Sequence, residues 1–329
     1  MVLERIYVVR HGFRSSWSVD PKSGVYSGIP SPTGIQGDPS LTSYGIDQSK
    51  ELGAHLMTLD PQVDKVYSSP FYRCLQTMSP FMELQHQRAQ TGSTHGQSPV
   101  PHVQAQATVT SMLPEHGIRE WFGSAPFDHP EPAAPTILKS MFPSYDQRYV
   151  SVVTPSKRGE TLEQLQDRIA KALRGIVEQC DADGSRAVVL CTHAAVIIMI
   201  GRILTGQFPV KVDSDDFKAY TCGLSVYARS EPVVASLMRT ETKDSFANRT
   251  SRRPLSHSEQ DTTADMTADT MTDTTADTTA VIGGWQCHLN SDCSFLSGGP
   301  ERGCLRAFSG DESFPGTGSL SPEDTGSKL

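Results

Sequence analysis

The sequence has no excess of positive charge: 29 Lys and Arg stand against 37 Asp and Glu over 329 residues, a formal net charge of -8. It also lacks a basic stripe with interleaved aromatics. Direct nucleic-acid binding is therefore not expected, because phosphate contacts carry much of that affinity. No Cys-x-x-Cys pair occurs among the seven cysteines, so Cys287, His288, Cys293 and Cys304 lack the spacing of a structural zinc site. An odd number of cysteines spread along the chain suggests reduced thiols rather than a disulfide framework. Long hydrophobic runs are missing too. The most apolar stretch, Ala187 to Leu204, contains His193, Gly201 and Arg202 and reads as a strand followed by a helix, so no membrane span is expected. Glu4 and Arg5 interrupt the start, which argues against a secretory leader, and Asn248-Arg249-Thr250 should then stay unglycosylated.

What is present is a repeated pattern. The apolar run Ile6 to Val9 is followed by Arg10-His11-Gly12, and an equally apolar run, Ala187 to Leu190, leads to Thr192-His193-Ala194. Short β-rich runs without alternation are how strands buried on both faces of a parallel sheet read. Ligands in such sheets bind beyond the carboxyl ends of the strands, so His11 and His193 are candidates for one pocket. Asp64 to Ser69 reads as a third strand, and Pro70 stands where a helix would begin. Arg73 then falls near that helix's start, where an anion is favoured by dipole and guanidinium together. Glu120 follows the short apolar stretch Val109 to Leu113. Two histidines, two arginines and a glutamate near strand ends are the set that phosphoryl transfer through a covalent histidine needs.

In this respect the chain resembles the histidine phosphatase superfamily, in its phosphoglycerate-mutase-like branch. The resemblance is carried by Arg10-His11-Gly12, Ser40-Leu41-Thr42 with Gly45, Ser68-Ser69-Pro70-Phe71-x-Arg73-x-x-x-Thr77, Glu120-Trp121, Gly159-Glu160-Thr161 and Thr192-His193-Ala194, and it spans roughly Leu3 to Arg229. It implies an α/β fold, a mostly parallel central sheet with helices on both faces. It also implies roles: His11 as nucleophile, Glu120 as proton donor, and Arg10, Arg73 and His193 around the phosphoryl oxygens. No metal and no cofactor is implied. Members with mutase activity carry Ser and Asn after Arg-His-Gly, whereas here Phe13-Arg14-Ser15-Ser16-Trp17 stands there, followed by a Pro/Gly/Ser-rich loop. An arginine at the place of Arg14 resembles some phosphatase members. Arg14 is therefore expected to bind phosphate, and hydrolysis of a phosphorylated small molecule or phosphoprotein is expected over phosphoglycerate-type mutase activity.

The remaining sequence divides the chain. Residues 1-240 are expected to form the enzyme domain, with amphipathic helices after Thr42 and after the capping box Thr161/Gln164. Gln85 to Gln106 reads as a polar insertion, and Thr136 to Pro143 as a short helix near the site. Val233 to Met238 is expected to close the sheet. Residues 241-281, where Asp265, Asp269, Asp273 and Asp277 recur every fourth position, read as a disordered linker. Residues 282-308 read as short strands with Trp285, Cys287 and Leu289 on one face, a possible contact for a protein partner. This segment resembles the tail of the fungal TFIIIC subunits that carry a histidine phosphatase domain, which implies an assembly role as an alternative, with a nuclear or cytoplasmic location. Residues 309-329 read as a disordered tail ending in Ser327-Lys328-Leu329, a peroxisomal address, so peroxisomal import is expected, with a nuclear or cytoplasmic location as the alternative.

Overall fold

Ile6 to Val9 and Ala187 to Leu190 are apolar without alternation because both of their faces are covered and they lie side by side. In the computed structural model, which describes residues 2–92, 109–211, 214–230 and 283–302, β1 (Arg5–Arg10) pairs in parallel with β6 (Ala187–Thr192), placing Arg10 opposite Thr192. β4 (Lys65–Ser68) lies in parallel on the other side of β6, and β5 (Met112–Pro114) outside it. On the far side of β1, β7 (Leu224–Arg229) and then β8 (Trp285–Asp292) run antiparallel to their neighbours. The sheet order is β5-β4-β6-β1-β7-β8. A hairpin of β2 (Trp17–Val19) and β3 (Tyr26–Gly28) stands apart from it.

Helices cover both faces, as the resemblance implied. On one, α1 (Ser43–Leu56) and α2 (Tyr72–Gly92) bury Leu52, Leu56, Leu75, Met78 and Phe81 against Tyr7, Val9, Val66 and Val189. On the other, α4 (Leu162–Asp183) and α5 (Ala194–Thr205) bury Leu165, Ile169, Leu173, Ile197 and Ile200 against Ile6, Val8, Val188 and Leu190. α3 (Pro135–Met141) sends Leu138 into the first of these clusters, and Phe142 just after it lies 5.0 Å from the ring of Tyr72. The expected caps are present. Thr42 Oγ1 accepts from Gly45 N, and Thr161 and Gln164 exchange side-chain and backbone hydrogen bonds at the start of α4.

Three elements differ from the sequence reading. α2 continues to Gly92, so the insertion expected from Gln85 begins as helix. Gln85 is buried, and Gln, Arg and Ala propagate a helix well. The strand beside β1 is β7, while Val233 to Met238 falls outside the described residues. β8 is one eight-residue strand rather than several short ones, and register shifts around Val226 leave Trp285 buried but Leu289 exposed. The Thr/Asp repeat, Cys304 and Ser327-Lys328-Leu329 also lie outside the described residues.

One buried ion pair connects α4 to the segment before Glu120. Arg168 Nε donates to both carboxylate oxygens of Glu160 at 2.9 Å, and its Nη1 donates to the carbonyls of Gly117 and Arg119. Both side chains are almost fully buried. Glu160→Ala would strand the guanidinium, and a loss of about 3–5 kcal/mol in urea-unfolding stability is expected. A loss under about 1 kcal/mol would show that Arg168 finds another partner.

Candidate active site

Adjacent parallel strands bring their carboxyl ends to one edge, which is why His11 and His193 meet. His11 N donates to Thr192 O at 3.0 Å, and the two imidazole centroids are 5.3 Å apart. From β4 the chain turns through Ser69, whose N donates to Cys191 O, into α2, where Arg73 lies in the first turn. From β5 a 3-10 turn, His116–Ile118, delivers Glu120. The loop after β1 is clamped on both sides. Gly12 N donates to Thr77 Oγ1 on α2, and Phe13 N to Gln48 Oε1 on α1. This approach requires glycine at 45, since a Cβ there would fall 2.0 Å from Phe13 O.

Arg73 is the centre of the charge network. Its Nη1 donates to Asp38 Oδ1 and its Nη2 to Glu120 Oε2, each at 3.0 Å, and its guanidinium carbon lies 4.7 Å from the Phe71 ring centroid. Glu120 Oε2 also lies 3.3 Å from His193 Nδ1, while His193 Nε2 is 2.8 Å from Ser69 Oγ. Burial lowers the His193 pKa, but the charges of Cys74 and Glu120 outweigh it and raise the ring above its ordinary value. Glu120 is pushed up by burial yet held well below the usual carboxylate range by His193 and Arg73.

His11 is the opposite case. It is buried, and burial together with Arg73, Arg10, His193 and Arg14 holds its pKa well below 6.5. Its Nδ1 lies 2.9 Å from the carbonyl of Gly12. A carbonyl can only accept, so Nδ1 carries the proton and Nε2 keeps a free lone pair. Two further arginines have no carboxylate partner among the described residues. Arg10 Nη1 donates to the carbonyls of Ala219 and Arg302, and Arg14 Nη1 to Ser15 O. Arg14 lies over Trp17, and burial, followed by Arg73, pushes its pKa down to about 9. Among the described residues, the Nε atoms of Arg10, Arg14 and Arg73 are buried without a partner. This combination of cations and unused donors suits an anion.

His11, Glu120 and His193 also bring ligand-type atoms within 4.8 Å of one another. A divalent cation there would share one carboxylate with Arg73 and face Arg10 and Arg14, so the local field disfavours it. Thus all six residues singled out from sequence, Arg10, His11, Arg14, Arg73, Glu120 and His193, lie at this edge of the sheet. Several others escaped that reading. Asp38, fully buried in the Pro/Gly/Ser-rich loop, accepts from Arg73 and from Tyr72 N at the start of α2. Its carboxyl is raised by burial, against the pull of Arg73. Ser69, Thr77 and Gln48 lay within or near the quoted motifs but were given no task, and Arg302 had no local signal at all.

The family model of the histidine phosphatase superfamily (branch 1) matches residues 6–92 and 106–239. The transcription factor tau 55 kDa subunit of Saccharomyces cerevisiae is 31% identical over 256 residues, which is 75% of this chain and 52% of that protein. The ecdysteroid-phosphate phosphatase of Drosophila melanogaster is 27% identical over 183 residues, 54% of this chain and 21% of that protein. The chain therefore spans about half or less of the curated relatives it matches. Among solved structures, the ecdysone phosphate phosphatase from Bombix mori in complex with tungstate gives a TM-score of 0.48 at 17% identity, over 77% of this chain and 98% of that one.

The raised pKa of His193 sets a pH dependence. A raised group keeps its charge below its pKa and loses it as pH rises through that value. Sulfate is a dianion across this range, so its affinity measured by calorimetry should be highest on the acid side and fall as pH climbs above 6.5. His193→Ala should flatten that fall. A wild-type affinity independent of pH would contradict a charged His193 at the anion site.

Proposed function

We propose, starting from the fact that the chain belongs to the histidine phosphatase superfamily, that it hydrolyses phosphomonoesters through a phosphohistidine on His11. The observation that carries this reading is the neutral, buried His11, its Nδ1 pinned by Gly12 O, set among arginines that include two without carboxylate partners among the described residues. Nε2 would attack phosphorus in line, forming an N–P bond as the bond to the leaving oxygen breaks. Arg10, Arg73, Arg14 and charged His193 would balance the charge on the three remaining oxygens. Water would then displace the imidazole from phosphorus, releasing inorganic phosphate.

Glu120 would give its proton to the leaving oxygen and later take one from the attacking water. In the unliganded site its carboxyl is held low because it faces His193 and shares Arg73 with Asp38. A bound phosphate dianion competes for both cations and adds negative charge nearby, which raises the carboxyl toward protonation. Phe13, Arg14 and Trp17 stand where mutase members carry polar residues, which supports hydrolysis over phosphoglycerate interconversion. Glu120→Gln should slow hydrolysis of an alkyl phosphate at least about tenfold more than that of 4-nitrophenyl phosphate, whose leaving group needs little protonation. Equal losses on the two substrates would remove Glu120 from the acid's role.

A second reading is an assembly subunit, alone or combined with catalysis. The tau 55 kDa relative, identical at 31% of aligned positions, is named as a transcription factor subunit, and the TFIIIC-like tail resemblance points the same way. With a net charge of -8 such a role would operate through protein contacts. It favours a nuclear location over the peroxisomal one suggested by Ser327-Lys328-Leu329. An N-terminal fluorescent fusion should give nuclear signal unchanged by removal of those three residues. Cytoplasmic puncta that disperse on the same truncation would reverse that preference.

A further inference from the structure

Residues 283–302 lie beyond the stretch matched to the family, which ends at 239, yet they reach the candidate site. After β8 the chain runs back along α1. Phe295 stacks on His55 with ring centroids 4.2 Å apart and an interplanar angle of 5°, and Cys293 and Leu296 are buried in the core. Ser297 N donates to Glu51 Oε2 at 3.0 Å, and Gly298 lies so close to Tyr44 that a Cβ would fall 2.1 Å from its hydroxyl. Three points of attachment spaced along one helix, with Cys293 and Leu296 buried in the core, make this segment a strap rather than a loose extension.

The strap ends at the arginines. Glu301 O accepts from Thr221 N, whose Oγ1 in turn accepts from Gln48 Nε2, the side chain that also holds Phe13 N. Arg302 O accepts from Arg10 Nη1, and Arg302 Nη1 donates to Arg14 O at 2.8 Å. The guanidinium carbon of Arg302 lies 3.7 Å over the Phe13 ring. One residue therefore touches the side chain of Arg10, the ring of Phe13 and the backbone of Arg14. Arginine side chains carry much rotamer entropy, so an anion site gains affinity when its arginines are already held in place.

We propose that Arg302 is a positioning residue for phosphate recognition, with the strap of residues 293–302 holding Arg10 and Arg14 in the arrangement that a phosphate group requires. The role rests on the phosphate-binding reading above. It gives residues 283–302 a task within their own chain, at the site. The Arg302 carbonyl holds Arg10, while its side chain acts on Phe13 and Arg14; both arginines serve bound substrate and transition state alike, so loss of the side chain should appear mainly in binding.

The full chain, as wild type and as Arg302→Ala and Arg302→Lys, tests this by calorimetric titration with inorganic phosphate and by kinetics on 4-nitrophenyl phosphate. In Arg302→Ala the phosphate Kd and the KM should both rise about tenfold while kcat falls less than about threefold. Arg302→Lys should recover part of the loss, since it keeps the charge but cannot lie flat on Phe13. If Arg302→Ala does not fold, Arg302→Gln, which keeps a donor for Arg14 O but loses the cation over Phe13, should still show weakened binding, by less than the loss expected for Ala. Unchanged Kd and KM, or a kcat loss at constant KM, would overturn the proposal. Wild-type protein that binds phosphate but hydrolyses nothing would defeat the hydrolase reading, and the phosphate titration would still decide Arg302.

Discussion

A guanidinium taken wholly out of water is costly unless every charge near it is arranged around it, and Arg73 is such a group. Its exposure is zero, and its two Nη atoms are bonded to Asp38 and Glu120. Asp38 also receives the first backbone N–H of α2, so the residue that neutralises Arg73 fixes the helix that carries it. Thr77, one turn further along, accepts from Gly12 N and donates to Arg73 O. The loop bearing His11 and the helix bearing Arg73 thus cannot move independently. Pairing of β1 with β6 supplies the other half of the geometry, since Arg10 opposite Thr192 puts His11 and His193 on neighbouring strand ends.

This framework divides the two histidines by environment. His11 faces arginines and a second histidine and stays neutral with a free Nε2, whereas His193 faces Cys74 and Glu120 and is raised. Two groups of one residue type with pKa values driven apart is the arrangement that lets one act as nucleophile and the other as a cation. In the proposed mechanism Glu120 joins the two states of the site: without ligand it faces the cations, and with phosphate present it would be released to handle a proton. The Glu160–Arg168 pair supports this from behind, holding the backbone of Gly117 and Arg119 just before Glu120.

Much of this was legible in the sequence because it depends on local order. A buried parallel strand announces itself by its lack of alternation, and the residue that follows it must emerge at the sheet's carboxyl edge. That logic located His11, His193 and, through Pro70, Arg73. Asp38 was not legible, because it sits in a loop of Pro, Gly and Ser with no periodicity, and only the folded chain brings it to Arg73. Arg302 was hidden for a related reason. It stands 292 positions from Arg10 in the chain, beyond a long polar stretch, and no local pattern marks it as part of the site. β7 was passed over because Ser225 and Ala228 dilute its apolar run, although nearly all of its residues are buried beside β1.

The central claim is that His11 carries the phosphoryl group, and trapping that group tests it most directly. Wild-type protein mixed rapidly with a radiolabelled phosphomonoester and quenched in alkali, where phosphohistidine survives, should retain label on the peptide containing His11. The label should be lost on acid treatment and be absent from His11→Ala. Turnover without trapped label, or label on another residue, would contradict the account.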